Sequence, residues 1–486
     1  MNGIPILAIL AGYFAMLIII ARLTSKNGSN EAFFSGNRQS PWWLVAIGMI
    51  GTSISGVTFV SVPGMPSTIG MTYMQMVLGF AVGYIIIARL LLPLYYKLNL
   101  ISIYKYLGER FGQRSYKTGA LFFIISKITG AAARLFLVVL ILQTLVADTW
   151  GIPFWATSVI IVALIWTYSR RSGIQTIVRT DALQAVILIT ALVLIIYGVI
   201  QSMGTGFMGS IKMIAESPDS RIFVFDDWRS TQNFFKQFLS GIFITIVMTG
   251  LDQDMMQKNL TISTLKASQK NMYIYGSAFI PINLLFLSLG VLLMYFAASK
   301  GIVLPKNGDE ILPLLATNYL GVTVLFLFCI GIIAAAFSSA DSALTSLTTS
   351  FCIDILDVGK MPEQKSLNTR KTVHLAMCAA FVSIVLIIHG LNNTSVIDAI
   401  YTMAGYTYGP LLGLFAYGLF TKGVPNDKTV PYITIASPIL CAIISYLFVS
   451  LFNYKLGYEL LILNGVLTFT LLAFSARNKS CKSLTP

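Results

Sequence analysis

Apolar stretches long enough to cross a bilayer recur along this chain, and they constrain its fold more than any other feature. A spanning helix needs about 20 predominantly apolar residues. Sliding along the sequence finds about thirteen such segments, centred near residues 14, 54, 84, 131, 161, 188, 245, 285, 336, 381, 408, 440 and 466. In hydrocarbon each segment must satisfy its own backbone polar groups, which makes it a helix. The expected fold is therefore all-α and polytopic, a single transmembrane domain over residues 1–486. Composition agrees, with 56% hydrophobic and only 11% charged residues in 486. The first segment reads as a span and not as a cleavable leader. It lacks a basic start, and Ile18 to Ala21 run directly into Arg22.

A net charge of +14 would suit a polyanion, but the placement of the positive residues gives a better account. Of 33 Lys and Arg, about 23 fall in alternate loops and the C-terminal tail, and about seven in the intervening loops. The rich side includes Lys97, Lys105, Arg110, Arg114, Arg170, Arg171, Lys258, Lys266, Lys360, Arg370 and Lys371. These should face the cytoplasm from a cell inner membrane, and an odd number of spans then puts the N-terminus outside and the C-terminus inside. The partner so implied is the lipid bilayer, not nucleic acid. No feature points to a particular oligomeric state.

The five cysteines, Cys329, Cys352, Cys378, Cys441 and Cys481, lie mostly in expected spans without paired spacing, which indicates neither a disulfide framework nor a metal cluster. HExxH, GxSxG, P-loop and CxxC motifs are absent, so neither an enzyme nor an ATP-driven pump is expected. His374 and His389 read as interfacial or packed side chains. Only about ten residues follow the last apolar segment, which disfavours an appended sensor domain.

One expected span is chemically unusual. Ala334 to Asp354, AAAFSSADSALTSLTTSFCID, sets eight hydroxyls and the Asp341 carboxylate in an apolar segment. At helical spacing Ala334, Ser338, Asp341, Ser342, Thr345 and Thr349 share one stripe. Such a stripe is a ladder of oxygen ligands for a hard cation. Isolated Ser and Thr also serve as helix glue, but adjacent Ser338 and Ser339 beside a charge favour a site.

Two further spans should be interrupted. GTSISGVTF, Gly51 to Phe59, has two glycines and several β-branched and hydroxyl residues, and makes a poor continuous helix. Its freed carbonyls would be available to a cation. In GIFITIVMTGLDQDMMQK, Thr249 and Gly250 precede Asp252, Gln253 and Asp254 at the inner end. Interrupted spans five apart point to an inverted-repeat transporter with its site between them. Asp252 and Asp254 are expected to border an inner vestibule. Lys127 and Arg134 lie seven apart in the fourth span, hence on one face; Lys127 is shallow enough to snorkel, whereas Arg134 needs an anionic partner, carbonyls or a cavity. Two shorter features complete the pass. LISIYKYLGERFG, Leu100 to Gly112, reads as an amphipathic interfacial helix, and the outer loop near 201–232 as holding a short helix.

Taken together, FFSGNRQSPWW, ISIYKYLGERFG, SGIQTIVRTDALQ, TGLDQDMMQK and AAAFSSADSALTSLTTSFCIDI, spread from Phe33 to Ile355, resemble the sodium:solute symporter family. That family includes transporters of sugars, proline, iodide and sialic acid. The resemblance implies a leucine-transporter-type fold of two inverted five-helix repeats, here 42–200 and 233–421, with accessory helices in 422–486. It implies a principal sodium site of the Gly51, Ile54 and Ala335 carbonyls with the Ser338 and Ser339 hydroxyls. A second sodium, as in members similar to bacterial sialic acid transporters, would draw on Asp181, Ser342 and Ser53. Asp341 stands where those relatives carry a serine, so it would strengthen a cation site, carry a proton, or pair with Lys127 or Arg134. Substrate would meet Ser55, Thr58, Tyr73, Gln75 and Arg134. Arg134 resembles the arginine that holds the substrate carboxylate in sialic acid transporters; the other reading is an ion pair with Asp341 or Asp181 that ties the bundle together. The reading that follows is a sodium-coupled symporter working by alternating access on a small solute, foremost a sialic acid or other organic anion. Its rivals are a neutral sugar or polyol carrier and, further off, a channel or sensor.

Overall fold

Two places where helix propensity fails shape the molecule, and long apolar helices fill the rest. The computed structural model describes residues 4–24, 29–391 and 396–477. Its principal helices are α1 (Ile4–Thr24), α2 (Trp42–Ser53), α3 (Gly56–Gly64), α4 (Tyr73–Ile86) and α5 (Gln113–Leu142). After these come α6 (Phe154–Arg170), α7 (Gly173–Met203), α8 (Phe234–Gly250) and α9 (Gln253–Asn259). The chain continues through α10 (Leu265–Ser299), α11 (Gly321–Ile355), α12 (Glu363–Leu391), α13 (Val396–Phe420), α14 (Val430–Phe452) and α15 (Leu460–Ser475). The strand content among the described residues is one antiparallel pairing of Val424–Pro425 with Ala476–Arg477. By length and composition, seven helical stretches among the described residues can each cross a membrane, or eight when α8 and α9 count as one bent span. Thirteen crossings is more than length alone supports. Several helices, α2, α6 and α15 among them, are apolar but short.

Both expected interruptions are present. α2 stops at Ser53 and α3 restarts at Gly56, with Ile54 at φ −83°, ψ 82° and Ser55 extended at φ −74°, ψ 169°. The Ile54 amide is the last to reach back, to Ile50, and the Phe59 amide is the first to resume, on Ser55. The carbonyls of Gly51 to Ile54 therefore fall outside the backbone ladder, and both break residues are buried. The second break bends α8 against α9 by 67°. Here α8 ends in a π-turn over Ile246–Gly250, and the Asp252 carboxylate caps α9 by accepting from the amides of Asp254 at 2.9 Å and Met255 at 3.2 Å.

Around these breaks the packing is close. α7 lies against both α2 and α11, and α4 lies along α8. At the α4–α8 seam the backbones touch: a Cβ on Gly79 would collide with the Phe238 carbonyl, and one on Gly241 with the Met76 carbonyl. α14 sits outermost and exposes Ile435, Ile439, Ile443, Tyr446 and Phe452, an apolar face suited to lipid.

Several shorter expectations can be placed. The FFSGNRQSPWW segment begins in a short helix, Asn30–Ser35, capped by Ser29, turns through Gly36–Arg38 and enters α2 at Trp42, and Gln257 of α9 donates to its Phe34 carbonyl at 2.7 Å. The outer loop carries a helix, Gly206–Glu216. Leu100 to Gly112, by contrast, is not a helix lying on lipid. It is helical only over Lys105–Arg110, where Tyr106, Leu107 and Arg110 are buried against protein. Arg110 donates to the carbonyls of Gly418, Thr421 and Gly423, capping the end of α13. His374 is packed between the Ser169 and Thr348 hydroxyls, and His389 stacks on Phe154. Cys329, Cys352, Cys378 and Cys441 are free thiols, while Cys481 lies outside the described residues.

α6 and α7 meet at Gly173, whose φ of 53° and ψ of −162° belong to glycine alone. A side chain there would also strike the Phe33 backbone. Gly173→Val should cost about 1–3 kcal/mol in backbone strain before the clash is counted. It should appear as a lower thermal midpoint of the purified protein in detergent, and an unchanged midpoint would refute this account of the junction.

Candidate functional site

α11 carries the hydroxyl stripe past the break between α2 and α3, with every side chain from Ile332 to Ser350 buried. Several of its hydroxyls bond their own helix: Ser339 to the Ala336 carbonyl, Ser346 to Ala343, Thr348 to Leu344 and Thr349 to Thr345. These bonds are glue in the ordinary sense, and Ser339 alone among the four also faces the cavity. Ser338 and Ser342 behave differently. The Ser338 hydroxyl donates to Asp181 at 2.7 Å and lies 3.4 Å from the Thr52 hydroxyl, while Ser342 donates to Asp254. α11 is thereby joined to α2, to α7 and to α9.

Between these helices lies a buried network of charges. Lys258 on α9 places its ammonium 2.7 Å from Asp181 Oδ2 and 4.0 Å from Asp254 Oδ1, and also donates to the Thr52 hydroxyl. Thr52 in turn donates to Asp181 Oδ2 at 3.0 Å. Lys127 on α5 spans Asp252 at 3.2 Å and Asp254 at 2.8 Å, and Tyr408 on α13 donates to Asp252 at 2.6 Å. Asp181 and Lys258 are 0% exposed, and Lys127 only 7%. Charges this deep persist only when paired and hydrogen-bonded.

Two expectations are corrected here. Lys258 is not part of the basic cytoplasmic fringe, because the short α9 folds back beneath the break and carries its side chain inward. Lys127 does not snorkel, because two carboxylates hold it in the interior. Asp341 is fully buried with its carboxylate toward Tyr168, and it pairs with neither Lys127 nor Arg134.

Beside the broken span is a cavity that Ser55, Thr58, Tyr73 and Arg134 line, together with Ser339, Thr245, Thr249, Tyr84 and Tyr408. Arg134 is half-buried and, among the described residues, has no ion pair with Asp181 or Asp341. Asp252 and Asp254 also border this cavity. Gln75 is not brought to it. Its amide donates to the carbonyls of Gln232 at 2.9 Å and Thr72 at 3.2 Å and its oxygen accepts from Val224, so it pins the outer loop. Ser53 reaches not Asp181 but Tyr275, which Tyr84 also meets at 3.0 Å. The position beside Asp181 belongs to Thr52.

The sequence reading thus missed Thr52, Tyr275 and the inward role of Lys258. One signal for Lys258 was available: Asp254 and Lys258 are four apart, on one face of a helix too short to leave the site.

A family model described as the sodium:solute symporter family matches residues 33–427. The chain belongs to that family. It is 28% identical over 433 residues to the sodium/sialic acid symporter SiaT of Proteus mirabilis, covering 85% of this chain and 84% of that one. It is 26% identical over 437 residues to the sodium/sialic acid symporter NanT of Aliivibrio fischeri, covering 87% and 83%. Among solved structures, a substrate-bound, outward-open sodium-coupled sialic acid symporter superposes with a TM-score of 0.83 at 22% identity over 98% of this chain and 99% of that one. The nucleobase-cation-symport transporter Mhp1 gives 0.59 at 16% identity, over 93% and 95%. The fold is that of the leucine-transporter-type carriers. This member is a multi-pass, sodium-coupled symporter and not an enzyme.

Removing one partner of the lower pair tests the network. Lys127→Met leaves Asp252 without its ammonium partner and Asp254 with only Lys258 at 4.0 Å, and should destabilise by about 3–5 kcal/mol. The check is the thermal midpoint of the purified protein, together with that of Lys127→Met combined with Asp252→Asn, which should recover part of the loss.

Proposed function

We propose that this symporter imports a carboxylated sugar of the sialic acid class, drawn inward by the sodium gradient. Arg134 carries the reading. Its guanidinium lines the cavity beside the broken span, is half-buried, and among the described residues has no carboxylate partner. A planar fork with unspent donors suits a carboxylate, to which it gives two parallel hydrogen bonds. Around it Ser55, Thr58, Thr245 and Thr249 offer hydroxyls to a polyhydroxylated ring. The names of the two bacterial relatives support the same class.

Sodium, as co-substrate, is assigned to the Gly51, Ile54 and Ala335 carbonyls with the Ser338 and Ser339 hydroxyls. Two observations support this. The break releases the carbonyls of Gly51 to Ile54 from the helix ladder. Ser338 gives its proton to Asp181, which leaves its oxygen lone pairs for a cation. An ion held there ties α2 and α3 to α11, so it stabilises one arrangement of these helices, and substrate then selects closure. The bacterial inner membrane is the proposed location, crossed thirteen times with the N-terminus outside and the C-terminus in the cytoplasm. The distribution of Lys and Arg supports that orientation, and the terminal residues 1–3 and 478–486 lie outside the described ones.

The test is uptake of labelled N-acetylneuraminate into proteoliposomes with and without an inward sodium gradient. Sodium-dependent accumulation is expected, and Arg134→Ala should lower it at least tenfold, about 1.4 kcal/mol or more, with protein abundance intact. Accumulation of neutral sugars or polyols instead would move the substrate class. A second expectation concerns Ser338→Ala combined with Ser339→Ala, which should raise the sodium concentration for half-maximal uptake. Unchanged sodium dependence would remove that site.

A further inference from the structure

The place beside Asp181 is built as a cation would require. Its carboxylate is wholly buried, and hydroxyl groups from two other helices converge on it, Ser338 on Oδ1 and Thr52 on Oδ2. Oxygen donors of this kind, carboxylate and hydroxyl together, are what a sodium ion takes. The occupant is instead the chain's own ammonium. Lys258 lies 2.7 Å from Asp181 Oδ2, donates to Thr52, and stands 4.0 Å from Asp254 Oδ1. Ammonium and sodium carry the same single charge, but this one is tethered to α9 and cannot leave with the substrate.

We propose that Lys258 is a resident cation that fills the second ion place of this symporter, so that the protein binds one sodium per chain. The inference rests on the sodium reading above and adds the stoichiometry to it. The division of partners agrees: Lys127 pairs with Asp252 and Asp254, and Lys258 is the cation at Asp181. Ser342, a candidate ligand for a second ion, is turned instead to Asp254, and Ser53 to Tyr275.

The experiment counts radioactive sodium bound by purified full-length protein in detergent, against choline, and follows sodium-dependent thermal stabilisation in parallel. No transported solute is needed. Wild type should bind one sodium per chain with a binding slope of about one. Lys258→Met vacates the place and leaves Asp181 uncompensated in a low-dielectric interior, so bound sodium should double, with a slope approaching about two, and sodium should stabilise this variant more than wild type. Lys258→Arg keeps the charge and should stay at one. Asp181→Asn added to Lys258→Met removes the demand and should return to one. Two sodium ions in wild type, or one in a folded Lys258→Met, overturns the proposal. So does a Lys258→Met protein that high sodium fails to rescue, because a vacated site open to sodium predicts rescue. A wild type that binds no sodium overturns the sodium reading beneath it, a result distinct from all of these.

Discussion

The ion pair of Lys258 with Asp181 holds together parts of the chain that have little else in common. It joins α9, the short half of one broken span, to α7, and through Thr52 and Ser338 it also engages α2 and α11. A polar centre of this kind is costly to assemble from water, and it is tolerated because each member is paired. Apolar packing around it is plentiful but undirected, whereas the charges fix which turn of each helix faces which. The breaks in α2–α3 and α8–α9 follow from the same requirement. A continuous helix would point its backbone groups along its own axis, and an interrupted one turns carbonyls, caps and side chains toward the centre.

Much of the architecture was legible in the sequence because its causes are local. Glycine, β-branched and hydroxyl residues between Gly51 and Phe59 weaken a helix wherever they stand, and Thr249 to Asp254 mark the second interruption in the same way. The stripe on α11 was equally plain from its spacing. What could not be read there depends on rotation and on distant partners. Each helical residue turns the side chain by about 100°, so Thr52 and Ser53, adjacent at a broken end, face different neighbours, and the sequence assigned to Ser53 the place that Thr52 holds. Tyr73 and Gln75 are likewise two apart and diverge, one to the cavity and one to the outer loop. Lys258 follows an apolar run and precedes a basic loop, so by position it belongs with the cytoplasmic charges. Only the fold-back of α9 reveals its partner.

The cavity combines two electrostatic characters. Toward the network its wall includes Asp252, Asp254 and Lys127, which neutralise one another in part, while Arg134 stands on the same wall with its charge unspent. An anion entering here meets attraction at one point and hydrogen-bonding oxygens elsewhere. Orientation is thereby set by a single charged contact and refined by neutral ones, a division of labour suited to a ligand with one acidic group and many hydroxyls.

The seam between α4 and α8 is smooth where most helix contacts are ridged. Side chains that interdigitate must climb over one another before two helices can slide. At Gly79 and Gly241 there are none to climb, because each glycine lies against the other helix's main chain. A shift along this line would nevertheless carry residues that have a Cβ into the glycines' places, against the other helix's carbonyls, so the close backbones fix one offset. The α4–α8 pair is thus keyed at a single register, and since Tyr84 of one helix and Thr245 and Thr249 of the other line the cavity, that key makes their share of the wall one unit.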